Sequence, residues 1–182
     1  MCPGDSGIIR DMDRCAECGF DYDSLERADV PPAFVSLGEE FRNEISAVAS
    51  NEALCRRPRP EVWSALEYAC HVRDVFLWQR DRLYIALVED KPSFVRMYRD
   101  ERVALARYNE QDPPVVASQL VFAARLIAQA FADLESTAWE RCFVYNWPEP
   151  QERNVAWLAA HTVHEGCHHL QDFRFVTGLG AR

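Results

Sequence analysis

Residues 153–176 read RNVAWLAAHTVHEGCHHLQDFRFV, and this stretch decides the fold. Ala156, Ala160, Val163, Cys167 and Leu170 recur at three- and four-residue steps, the signature of a helix that buries one face. Gly178 and Gly180 mark its end. At about 100° per residue, His161, His164 and His168 fall on one flank of the apolar stripe with Trp157 and Phe175. Glu165 and His169 fall on the other flank with Leu158 and Val176.

Three more segments upstream share this period. Ser64 followed by Glu67 reads as a capping box, with Trp63 and Tyr68 as a hydrophobic staple, and opens a helix through His71, Val75, Phe76 and Leu83 to about Glu89. Before it, after Pro31 and Pro32, Phe34, Leu37, Phe41, Ile45 and Val48 mark a first long helix. After it, Asp112 and Pro113 cap a third, with Val116, Leu120, Ala124, Ile127, Phe131 and Leu134 on one face. Residues 98–108 form a polar, helical connector. No segment alternates with a period of two, so the expected class is all-α, a four-helix bundle without strands. Residues 1–32 lack sustained periodicity and are read as a mostly irregular N-terminal extension carrying Cys15-x-x-Cys18. Residues 33–182 form the bundle.

Composition narrows the function. The chain has 182 residues, 48% of them hydrophobic, enough to bury a core. Twenty basic against 29 acidic residues give a net charge of −9, which argues against nucleic acid as a partner. The absence of about 18 consecutive apolar residues and of a secretion-type start argues against a membrane partner and for a cytoplasmic location. Seven cysteines, an odd number, fit mostly reduced thiols rather than a disulfide framework.

Four of the five histidines lie in 161–169, and the fifth is His71. Residues four apart on a helix face the same way, so His164 with His168, or Glu165 with His169, offers two ligands to one ion. His71 on the second helix is the candidate third ligand, completing a set that leaves positions for water or substrate. A lone bundle histidine is more often a hydrogen-bonded core residue; the clustering is what points to metal. Periodicity does not choose between the two pairs.

The run from Trp63 and Ser64 through Glu67 to His71, followed by His164-Glu165-x-x-His168-His169-x-x-Asp172, resembles the DinB-like superfamily of metal-binding four-helix bundles. That superfamily includes mycothiol-dependent maleylpyruvate isomerase and thiol S-transferases. The resemblance covers residues 33–176 and implies a divalent metal, zinc or nickel, on His71, Glu165 and His169, with the His164/His168 pair as the alternative register. It further implies that Asp172 or Glu67 orients a ligand imidazole, and that His168 or His164 serves as general acid or base at the mouth of the site. The implied chemistry is transfer or isomerisation by a thiol, mycothiol or another low-molecular-weight thiol acting as co-substrate, which the metal holds as thiolate. A metal-activated hydrolase and a non-catalytic metal-binding stress-response module are the rival readings. The expected partner is a small-molecule substrate, and because many such bundles pair, a homodimer stays open.

Cys15-x-x-Cys18 stands outside this pattern. A structural zinc needs about four ligands, and Cys2 or a distant cysteine would have to complete the set. A redox pair belongs at a helix start in a βαβ unit, and the plain alternative is two free thiols in a turn. Arg73, Arg80 and Arg82 could recognise a carboxylate on the thiol or the substrate, but arginines spaced along a helix are usually a solvated face, and no role is assigned to them. Phe94, Tyr98, Phe143, Tyr145 and Trp147 either wall a pocket at one end of the bundle or are ordinary packing residues.

Overall fold

Two prolines open the first long helix rather than closing the segment before it. Pro31 and Pro32 sit in the first turn of α1, Val30–Ala47, where a missing N–H costs nothing and φ is preset. The computed structural model describes residues 14–180. Ahead of α1, the chain makes an isolated bridge between Arg14 and Asp21 and two short 3-10 turns at Tyr22–Ser24 and Arg27–Asp29.

After α1 comes a single-turn α2, Asn51–Cys55, capped by Ser50 and not foreseen from the sequence. Helix α3, Ala65–Val88, begins at the expected capping box: Ser64 Oγ accepts from the Glu67 N–H at 3.1 Å, and Glu67 Oε2 accepts from the Ser64 N–H at 2.8 Å. The staple rings of Trp63 and Tyr68 stand 5.6 Å apart. The connector carries the short β1, Ser93–Phe94, and α4, Arg99–Leu105. Helix α5, Pro113–Ala132, follows Asp112, whose side chain caps no helix N–H although the residue sits at the cap position. A hairpin of β2, Cys142–Asn146, and β3, Pro150–Asn154, leads directly into α6, Val155–Thr177. Asn154 Oδ1 accepts from the Trp157 N–H at 2.9 Å to start α6, and Gly178, at φ 75°, ends it.

The four long helices form a bundle in which α1 packs on α5 and α6, and α3 packs on the same two. Consecutive pairs α1/α3 and α5/α6 are therefore diagonal, and each needs a long crossing connection. Phe34 on α1, Phe76 on α3 and Phe131 on α5 meet in the middle, with ring centroids 5.5 and 5.7 Å apart. Helix α5 is long and apolar enough to cross a bilayer by composition alone, but half of that stretch is buried inside the molecule.

The expectation of a strand-free fold is corrected. The connection from α5 to α6 folds as a hairpin, Cys142 opposite Asn154 through Asn146 opposite Pro150, and β1 joins β2 in parallel. Five-residue strands are too short to show a period. The aromatic and β-branched run Phe143-Val144-Tyr145 is nevertheless strand-favouring, and it buries Phe143 and Tyr145 against the bundle.

Two glycines set how closely the helices approach. A Cβ on Gly38 of α1 would stand 2.7 Å from Ala124 Cβ of α5 and 3.3 Å from the Val121 backbone. A Cβ on Gly166 of α6 would stand 2.6 Å from Leu37 Cδ1 and 3.3 Å from Phe76 Cζ. Gly38→Ala is expected to destabilise the bundle, because an overpacking cost of about 1–3 kcal/mol opposes a helix-propensity gain of about 1 kcal/mol. Urea unfolding monitored by circular dichroism should show a lower midpoint than wild type.

Candidate metal centre

His71 lies two turns into α3, 2% exposed, and faces α6. Neither of its ring nitrogens has a hydrogen-bond partner among the described residues, and its Nε2 stands 3.5 Å from Glu165 Oε2. The same carboxylate oxygen is 3.7 Å from His169 Nε2. One donor atom from each of His71, Glu165 and His169 lies within 4.8 Å of the others. Their convergence follows from the helix period: Glu165 and His169 share one flank of α6, and the small Gly166 lets that part of α6 close on α1 and α3.

Aromatic neighbours fix the rings. Trp63 meets His71 edge-on at 5.0 Å, and Tyr68 stacks on His169 at 5.4 Å. On its far side, His169 Nδ1 is 3.0 Å from Asp172 Oδ2. Asp172 is buried, so it is not the surface carboxylate that its spacing alone would suggest. Its contact makes Nδ1 the donor to Asp172 and turns Nε2 towards Glu165, the arrangement that orients metal-binding imidazoles. Glu67, the other carboxylate considered for this task, is occupied by the helix cap and by two hydrogen bonds from Arg57 at 2.6 and 2.7 Å.

The charges are strongly coupled. Burial pushes the His71 imidazole down, so it is neutral at pH 7. Burial would also lower His169, but its contacts with Asp172 and Glu165 outweigh that and raise it to about 9. Burial would raise Glu165, yet the imidazoles of His169 and His71 hold it well below the ordinary carboxylate value. A buried neutral imidazole with two unsatisfied nitrogens, beside a carboxylate and an oriented second imidazole, is a donor set that fits a divalent cation.

His71 and Glu165 open onto a cavity of about 220 Å³ between α3, α6, β2 and the connector before α4. Tyr98, Tyr145 and Trp147 line it, as the sequence suggested, whereas Phe94 and Phe143 are spent in the core. His161 also lines it, its Nε2 3.3 Å from the Tyr145 hydroxyl and its ring stacked on Trp157 at 4.5 Å. Burial lowers its pKa. His168, expected at the mouth, does not line this cavity; its Nδ1 faces Cys15 Sγ at 3.8 Å.

Residues 35–173 match the DinB superfamily. The chain belongs to this superfamily. Among solved structures, this DinB-superfamily chain is similar to YfiT from Bacillus subtilis, described as a probable metal-dependent hydrolase with an unusual four-helix bundle topology. The TM-score is 0.77 at 13% identity over 86% of this chain and 90% of that one, a likeness of fold. No curated protein gives a significant match.

Two arginines lie elsewhere than the usual solvated face, and one tyrosine near the site had no sequence signal. Arg82 and Arg73 are buried rather than solvated. Arg82 covers the Tyr145 ring at 4.9 Å and lines the cavity, while Arg73 is engaged by Asp74, Gln111 and Gln119. Tyr22, from the segment before α1, reaches His161 Nδ1 at 3.2 Å and His164 Nδ1 at 2.9 Å. An interior arginine carried by stacked aromatics has no linear signature, and neither has a tyrosine on a non-periodic segment.

The raised pKa of His169 makes the stability of the metal-free protein depend on pH. Because the folded value of about 9 exceeds the ordinary 6.5, the stabilisation is complete below pH 6.5 and is lost as pH rises through 9. Asp172→Asn is expected to lower the His169 titration by about 1–3 units and to shrink the stability difference between pH 6 and pH 10. Imidazole NMR titration and denaturation at the two pH values check both.

Proposed function

We propose that the chain is a metal-dependent enzyme that activates a small thiol of the mycothiol type for S-transfer or isomerisation, with His71, Glu165 and His169 holding a divalent ion, zinc or nickel. The observation that carries the metal reading is His71: a buried imidazole with both nitrogens unpaired among the described residues, facing Glu165 and His169 at the wall of a cavity. An unsatisfied buried polar atom costs about 1–3 kcal/mol, and a ligand role explains why it is kept. Support for the thiol comes from the donor set, one carboxylate between two imidazoles, which resembles that of the isomerase branch of the superfamily.

Bound there, a divalent ion lowers the pKa of a thiol or water in its open position, so that the nucleophile is anionic at neutral pH. The chain's own residues do the rest. Asp172 keeps His169 oriented, and Trp63 and Tyr68 hold the two imidazoles against rotation. His161, neutral by burial and bonded to Tyr145 beside the cavity, is the candidate to take the displaced proton, the role that the sequence reading gave to His168 or His164. Arg96 and Arg99 at the cavity wall favour an anionic substrate group, with Asp100 and Glu101 beside them limiting where it sits.

Hydrolysis is the second reading, favoured by the description of YfiT as a probable metal-dependent hydrolase. Turnover of metal-loaded protein on electrophile panels, with and without added low-molecular-weight thiols, separates the two. Thiol-dependent turnover is expected, with kcat/KM falling on the order of 100-fold or more in His71→Ala, Glu165→Ala and His169→Ala. Turnover without thiol would establish the hydrolase. Turnover that is unchanged in all three variants would remove the site from the reaction.

A further inference from the structure

Cys15 and Cys18, left unexplained by the bundle, lie against the histidines of α6 that the triad does not use. The Cys15-x-x-Cys18-Gly19 turn is a closed knuckle: the Gly19 N–H bonds Cys15 O at 2.8 Å, the Cys15 N–H bonds Phe20 O at 2.8 Å, and Gly19 supplies the positive φ of 75° that lets the chain turn back. Both thiols are free rather than joined to each other. His164 and His168, one helical turn apart on the flank of α6 opposite Glu165 and His169, face this knuckle. One donor atom from each of the four residues lies within 4.8 Å of all the others.

We propose that Cys15, Cys18, His164 and His168 bind a second divalent ion of the zinc class in a tetrahedral, structural site that fastens the N-terminal segment to α6. Two thiolates and two neutral imidazoles balance a divalent charge, and the spacing C-x2-C with H-x3-H is that of two-cysteine, two-histidine zinc sites. Here the two halves are separated by most of the chain, so only folding brings them together. Tetrahedral Zn–S and Zn–N bonds imply edges of about 3.3–3.8 Å. The Cys15 Sγ to His168 Nδ1 distance of 3.8 Å already meets that range.

Each imidazole has one nitrogen left for the knuckle and an outer partner for the other. His164 Nε2 is buried with no hydrogen-bond partner among the described residues, while its Nδ1 stands 2.9 Å from the Tyr22 hydroxyl. His168 Nδ1 faces Cys15, while its Nε2 has Glu17 and Asp172 carboxylates at 3.4 and 3.5 Å. Ligand imidazoles oriented in this way by a hydroxyl or carboxylate on the far nitrogen are the rule at metal sites. All four positions are filled by protein, so this ion has no open site for substrate. It holds Phe20 and Tyr22 against His164 and His161, and so shapes one border of the cavity.

Cobalt(II) is the probe, because with a phosphine reductant and no small thiol present a thiolate-to-cobalt charge-transfer band has to come from protein cysteine, which His71, Glu165 and His169 do not supply. Full-length protein, purified without a tag under reducing conditions and loaded with cobalt, is expected to show that band with the intense visible absorption of tetrahedral cobalt. Cys18→Ser and His164→Ala should each lose one metal equivalent per chain and the tetrahedral spectrum. His71→Ala should keep it, which separates this site from the triad whether or not the triad binds. No thiolate band in the wild-type protein would overturn the proposal, even if the cysteine variants failed to fold. So would a band that survives in both His164→Ala and His168→Ala, since the thiols would then bind without the histidines.

Discussion

An imidazole held in a helical interface without a hydrogen bond on either nitrogen from the described residues is the constraint around which this bundle is organised. His71 faces α6 across a gap that only a close helix approach can make, and that approach depends on Gly166, where a methyl group would collide with Leu37. Bundle cores ordinarily satisfy such groups or replace them with apolar ones, because an unpaired buried polar atom costs about 1–3 kcal/mol. Keeping one here, at the wall of a cavity, leaves a polar position beside Glu165 that a ligand can satisfy.

Helix α6 works as a ruler with two edges. Along one edge, Glu165 and His169 meet α3; along the other, His161, His164 and His168 meet the segment before α1 and the hairpin. Asp172 serves both edges, since the same Oδ2 lies 3.0 Å from His169 Nδ1 and 3.5 Å from His168 Nε2. The doublet His168-His169 therefore divides rather than cooperates, its two rings nearly perpendicular at 87° and turned to different clusters.

Much of the fold was legible because its signals are local. The Ser64–Glu67 capping box, the prolines of α1 and α5 and the three- and four-residue apolar steps place each long helix to within a few residues of its observed ends. The hairpin was not, because five residues cannot display a period, and the strand that joins its edge is only two residues long. Helix spacing alone left the pairs Glu165/His169 and His164/His168 equally open, and the set His71, Glu165 and His169 was implied by the resemblance to the superfamily. The surroundings of Cys15 and Cys18 could not be anticipated: their neighbours are histidines almost a chain length away, so a search for further cysteines looked for the wrong residue type. Tyr22 and Arg82 were hidden for a similar reason, since what places them is contact with α6 and with stacked rings, not their own periodicity.

Tyr22 also imposes a rule on protons. Its hydroxyl lies within bonding distance of two Nδ1 atoms, those of His161 and His164, but has a single hydrogen to give. At most one of those nitrogens can be bare and satisfied by it; the other must carry its own hydrogen. If His164 donates, the Tyr22 hydrogen is free for His161, whose remaining N–H then points at the Tyr145 oxygen 3.3 Å away. The tautomer of a ring at the cavity wall is thereby set by what occupies the far nitrogen of a ring one turn along the helix, so the N-terminal segment and the cavity share one proton inventory.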